Sequence, residues 1–211
     1  MKKLTKLAIE GSEAKRTAFR YEYGTQYTAE QTVFFDESSF DRRTSIRGKA
    51  WAVSGERAEQ KCFFVRGRRY SMLPALSIDE MIHVKIVEGS FTTELFVEFI
   101  EGLLDHMQPF PQPKSVIVMD NARIHKDPQI RELIEARGMH VMYLPPYSPD
   151  FNPIELAFSS IKAYFRRSGE LAREDVDQAI DDTYVYVHLI KAAFSVTSED
   201  TEGYFHHCGY L

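Results

Sequence analysis

Three acids carry the chemistry open to this sequence: Asp36, Asp120 and Glu155. Asp36 closes the short apolar run TVFF, and Asp120 closes SVIVM. Glu155 ends the proline-rich stretch PPYSPDFNPIE at 145–155, and the apolar helical pattern LAFSSIKAYF follows at once. The carboxyl ends of strands in open α/β sheets face the crevice where ligands bind. Glu155 lies in the first turn of a helix that follows a strand at the same edge, so acids far apart in sequence converge on one point. Two carboxylates ~5 Å apart repel by roughly 3 kcal/mol at an effective dielectric of about 20. Either one takes up a proton or a cation lies between them. Oxygen-only donors suit Mg2+ or Mn2+ rather than zinc. Two such ions ~3.5–4 Å apart activate a water and stabilise the leaving oxygen in phosphodiester cleavage.

Each acid has an ordinary structural reading beside this one. Asn152 is a good N-cap and Pro153 suits the first helical position, which makes Glu155 the third helical residue, as in a capping box. Asp36 can simply end a strand, and Asp120 with Asn121 can start a turn. The prolines at 145, 146, 149 and 153 add a constraint. Each fixes φ and restricts its predecessor. A cap has no need of so stiff a bracket, whereas a metal ligand that must sit within ~0.5 Å does.

The elements that must hold these acids are legible from periodicity. TVFFDES (32–38) reads as a buried strand. Further strands are expected over 49–55, 61–70, 71–77 and 81–89, the last with the alternation of a half-exposed antiparallel strand. Residues 90–107 have a helical period, capped by Ser90 or Thr92. SVIVMD (115–120) is a continuous apolar run, as in a central strand covered on both faces. A helix near 127–137 stops at Gly138, and 139–145 form another buried strand. The order predicts an α/β fold, one mixed β-sheet flanked by helices. The chain divides into a lead-in or linker remnant (1–31), the sheet domain (32–169) and a C-terminal helical tail packed on it (170–211).

The totals set the class. At 211 residues, 44% hydrophobic and 27% charged, the chain is an ordinary globular composition with room for a sizeable core. Its two cysteines make no disulfide framework, and no secretory signal or 18-residue apolar run is present, which points to an intracellular protein without a membrane span. Net charge is −5, with an excess of basic residues in 1–20 and of acidic residues in 170–211. That balance opposes strong nucleic-acid affinity by this chain alone. His206, His207 and Cys208 are adjacent and lack zinc-ligand spacing.

The stretches FFDESSF, VIVMDNARIH, LPPYSPDFNPIE and IKAYFRR, with 34 residues between the second and third acids, resemble the catalytic domain of the mariner-like DDE transposases, or DDE superfamily endonucleases. The resemblance covers roughly 30–170. It implies a ribonuclease H-like fold, with Asp36, Asp120 and Glu155 as the triad for two Mg2+ (or Mn2+) ions. It also implies phosphodiester hydrolysis at a transposon end, followed by strand transfer into target DNA. Partners implied are DNA, a homodimeric copy and, for want of room for an N-terminal helix-turn-helix module, a separate DNA-binding protein. In a eukaryote the location would be the nucleus. Weaker expectations attach to Asn121 and His125 near the metal or a phosphate, and to Lys162, Arg166 and Arg167 as phosphate contacts. Against these stand a loop histidine, a turn asparagine and a solvated basic face. The alternatives in function are an idle or domesticated remnant serving as a binding module, or a general ribonuclease H-like nuclease.

Overall fold

The computed structural model describes residues 12–41, 53–55, 69–122, 124–168 and 182–211. Strand β1 (Thr32–Phe35) is central: it pairs in parallel with β5 (Val116–Met119), which pairs in parallel with β6 (His140–Tyr143). On its other side β1 pairs antiparallel with β3 (Tyr70–Leu76), and β3 pairs antiparallel with β4 (Met81–Glu88). A short strand absent from the sequence expectation, β2 (Ser38–Phe40), also pairs with β3. Its register continues that of β1: Phe34 faces Leu76 and Ser38 faces Met72. The two are one strand interrupted at Asp36 and Glu37, and the continued register sets Pro74 opposite Asp36. Proline has no N–H to give the ladder. The interruption therefore has a chemical cause, and it falls on an expected site residue.

Among the described residues six helices cover the sheet: α1 (Glu13–Gln26), α2 (Thr93–Leu104), α3 (Pro128–Ala136), α4 (Pro153–Ser168), α5 (Asp182–Ala193) and α6 (Ser198–Cys208). Strand residues alternate between two cores. Phe34, Val116 and Val118 join Phe19 and Tyr23 of α1, Ile154, Phe158 and Ile161 of α4, Leu189 of α5 and Phe205 of α6. Val33, Phe35, Ile117 and Met119 join Phe96, Phe99, Ile100 and Leu103 of α2, and Ile130 and Ile134 of α3. Burial on both faces is why TVFF and VIVM are continuously apolar. The edge strand β4 is partly exposed along most of its length, as its alternation predicts.

Local signals agree. Thr92 caps α2 by accepting from the Leu95 N–H, and Asp127 caps α3 by accepting from that of Gln129 with Pro128 at the first turn. The chain leaves α3 through Gly138 at φ +82, the left-handed value that a C-terminal glycine tolerates. The strands expected over 49–55 and 61–70 lie largely outside the described residues; of the first, Ser54 and Gly55 are seen in a turn. Within 1–31, α1 packs its buried Phe19 and Tyr23 into the core. Among the described residues no helix is long and apolar enough to cross a membrane.

The fully buried Phe205 ring meets Phe34 edge-on at 5.3 Å between centroids. Phe205→Ala is expected to lower stability by about 3–5 kcal/mol, read as a shifted urea midpoint in a single transition. A helix α6 that only leaned on the domain would leave the midpoint in place.

Candidate active site

Asp36, Asp120 and Glu155 line one cavity of about 430 Å3, with Asn121 and the bracket residues Leu144–Pro149 completing its wall. The sheet places two of them. Because β1 and β5 are parallel neighbours, the residues just past Phe35 and Met119 emerge at the same edge. Asp36 sits in the gap that Pro74 leaves, and its Oδ1 accepts the Glu37 N–H at 2.7 Å. Asp120 Oδ1 accepts two bonds, from the Ala122 N–H at 2.8 Å and from His125 Nδ1 at 2.6 Å. His125 is buried and stacked on Phe96, 4.7 Å between ring centroids, so its imidazole holds Asp120 from behind and does not line the cavity. The Asn121 amide bonds the Leu144 carbonyl, which ties the Asp120 turn to the start of the bracket.

Glu155 is delivered by the bracket. A tight helical turn at Pro149–Phe151 leads into Asn152, whose side-chain oxygen accepts the Ile154 N–H at 3.4 Å and whose carbonyl accepts that of Glu155 at 3.2 Å. Asn152 is the cap that the sequence predicts. The capping-box reading of Glu155 fails, because the Asn152 N–H already donates to the Pro149 carbonyl at 3.0 Å. With that donor engaged, the Glu155 carboxylate is left facing the cavity.

Electrostatics record the crowding. Burial pushes the Asp36 carboxyl up to about 6, and the charges of Asp120 and Glu155 add to the shift against the Glu37 N–H and His125. Burial likewise raises Glu155, with Lys162 opposing and Asp120 reinforcing. Asp120 is also partly buried, but the His125 and Ala122 hydrogen bonds and the nearby positive charges outweigh that, and its carboxyl is held below the usual range. Three acids in one cleft are thus poised differently. Among the described residues no group of three or more His, Cys, Asp or Glu side chains forms a ready-made ion cage; the acids face a shared cleft instead.

The basic residues stand farther off. Lys162 lies over the Phe40 ring at 5.6 Å and the Phe158 ring at 5.8 Å. Arg166 and Arg167 are exposed in the last turn of α4, outside the cavity. Sequence reasoning missed Arg16 of α1, which forks onto Asp150 of the bracket at 2.9 and 2.6 Å. It also missed the buried Ser148, whose carbonyl accepts the Phe151 N–H at 3.1 Å. The pair Arg16–Asp150 joins residues 134 apart, and no local pattern announces it.

A family model described as DDE superfamily endonuclease matches residues 31–176. Among solved structures, the chain is similar to the Mos1 mariner paired end complex with Mn, at 17% identity and a TM-score of 0.68 over 98% of this chain and 63% of that one. It is similar to the Mos1 strand transfer complex at 16% identity and a TM-score of 0.67, covering 98% of this chain and 62% of that one. With the Mos1 transposase catalytic domain bound to raltegravir and Mg, identity is 15% and the TM-score 0.65, over 96% of this chain and 91% of that one. The chain thus spans less than two thirds of the first two chains and nearly all of the catalytic domain. The ribonuclease H-like fold expected from the sequence is the fold of these matches. A comparison with curated proteins finds no match.

The raised Asp36 carboxyl has a measurable cost. Its folded value of about 6 lies above the ordinary 3.8, so the folded protein binds that proton more tightly than the unfolded chain. This contribution is fully present below the ordinary value and is lost as pH rises through about 6. Asp36→Asn is expected to stabilise the protein by roughly 2–3 kcal/mol at pH 8 in EDTA and to flatten the fall between pH 4 and 7. Denaturant unfolding across that range is the check.

Proposed function

The chain belongs to the DDE superfamily endonucleases, and from that membership we propose that it is the catalytic core of a DDE transposase, hydrolysing DNA phosphodiesters with divalent metal and then joining strands. One observation carries this reading: the three acids expected from the sequence line a single cavity at one sheet edge. The donor set fits a hard cation. All three groups are carboxylates, and a cation would offset both the burial and the neighbouring charges that hold Asp36 up near 6.

In this reading Asp36, Asp120 and Glu155 hold two Mg2+ or Mn2+ ions. Bound there, such ions activate water and stabilise the leaving oxygen of an in-line displacement. The protein's own groups prepare the site. His125 and the Ala122 N–H engage Asp120 Oδ1, so the carboxylate would meet a cation in a fixed orientation. Asp36 would have to shed its proton to hold a cation, so metal affinity is expected to rise with pH through about 6. The bracket sets Glu155 on the third side. Lys162, Arg166 and Arg167 follow Glu155 along α4 and serve the phosphates flanking the scissile bond.

The similar solved structures are of a transposase in paired end and strand transfer complexes and with Mn or Mg, which supports DNA as the substrate and divalent metal as cofactor. The substrates are then transposon ends and target DNA, and the working form a homodimer. A chain of net charge −5 neutralises few phosphates. We therefore assign end recognition to a separate DNA-binding partner. The place of action is intracellular, and in a eukaryote the nucleus.

Calorimetric titration with Mn2+ or Mg2+, alongside plasmid nicking, tests the reading. The wild type is expected to bind metal in the micromolar-to-millimolar range and to nick. Asp120→Asn is expected to reduce nicking by more than about 100-fold, beyond the loss typical of a supporting partner. A folded wild type that binds no metal and cuts nothing would make the triad a relic and leave the chain a binding module.

A further inference from the structure

We propose that Arg16 is a positioning residue for Glu155, acting through the bracket; the inference rests on the metal-binding reading of the triad. Arg16 Nη1 donates to Asp150 Oδ1 at 2.9 Å and Nη2 to Oδ2 at 2.6 Å, a two-point fork. The same guanidinium lies 4.0 Å above the Phe151 ring. Phe19, one helical turn along, stacks on Phe151 with 5.6 Å between centroids. The Tyr210 hydroxyl donates to the Phe151 carbonyl at 2.5 Å. Side chain, ring and carbonyl of two consecutive bracket residues are thus held by α1 and by the chain beyond α6.

Phe151 leads directly into the cap of α4. Asn152 is buried, and its side chain and carbonyl accept the Ile154 and Glu155 N–H groups. Fixing residues 150 and 151 therefore fixes the direction in which the first turn of α4 starts, and with it the carboxylate of Glu155. The prolines limit the bracket's own torsions but cannot orient it against the rest of the domain. An anchor on another element is required, and α1 supplies it. Stability is not an adequate account of the pair. Asp150 is 60% exposed although Arg16 is only 19% exposed, and an ion pair open to solvent on one side adds modestly to folding. A planar fork adds angular definition, which a lysine ammonium would not give. Arg20 serves as an internal contrast: it lies 4.7 Å over the same ring without bonding Asp150.

The test uses the whole chain carrying Arg16→Ala, Arg16→Lys, Arg20→Ala, or the reversed pair Arg16→Asp with Asp150→Arg. Three readouts are taken: amide exchange at Ile154 and Glu155 without metal, Mn2+ affinity by calorimetry, and Tm. Arg16→Ala is expected to speed exchange at those two amides and to weaken Mn2+ binding about 10-fold, with a fall in Tm too small to account for either. Arg16→Lys should fall in between, Arg20→Ala should leave Mn2+ binding at the wild-type level, and the reversed pair should recover part of the loss. Unchanged exchange and affinity in Arg16→Ala would overturn the proposal. So would a fall in Tm that accounts for every other change. If the wild type binds no Mn2+, the metal reading fails, and the exchange measurement alone still decides whether Arg16 orients Glu155.

Discussion

Carboxylates gathered in one cleft repel each other, and most of the fold around this cleft is arranged to withstand that repulsion. Asp36 and Asp120 leave neighbouring parallel strands whose side chains are buried on both faces, so neither backbone can drift to widen the gap. Asp120 is held by His125 and a backbone N–H, and Asp36 by the Glu37 N–H. Titration records the difference in support: burial, with the neighbouring charges adding, pushes Asp36 up, while the hydrogen bonds from His125 and Ala122 help hold Asp120 down. Stability lost at such a place is ordinary for a site shaped for a ligand.

Glu155 reaches the cleft by another route. It stands on a helix, and its approach is fixed by a loop that has little freedom of its own and is also bolted to distant elements. The hydrogen bond from the Asn152 N–H to the Pro149 carbonyl matters most for its chemistry. By taking the donor that a capping acid would use, it turns a structural glutamate into one available to a ligand. Pro74 acts on Asp36 through the backbone instead: it withholds a ladder N–H, and the strand is interrupted where Asp36 reaches the cleft.

How much of this was legible depended on the distance over which each signal acts. The buried strands announced themselves through TVFF and VIVM, because burial on both faces leaves a local mark. The cap at Asn152 and the stop at Gly138 were equally local. Strand β2 was not legible, since SSF has no pattern of its own and its pairing follows from a register set by β3. The meaning of Pro74 was hidden for the same reason. The role of α1 was obscured because Phe19 and Tyr23 are apolar positions in an otherwise polar helix. Arg16 meets Asp150 only after the sheet has folded. That the three acids share one cleft could be read because Asp36 and Asp120 close recognisable strands and Glu155 opens a recognisable helix, whereas His125 could be named but not placed.

The order in which the chain is made gives the layout a consequence in time. The β3–β4 hairpin is local and can form as soon as residue 88 is available. The parallel pairing of β1 with β5 must wait for residue 119, and the bracket for residue 155. Even then one of its anchors is absent, because the hydroxyl that holds the Phe151 carbonyl belongs to Tyr210. The acids are therefore not locked together until synthesis has run well past all three, and the cleft is completed by a residue far downstream of Glu155. A nascent chain of this design cannot assemble its cleft until it has folded as a unit.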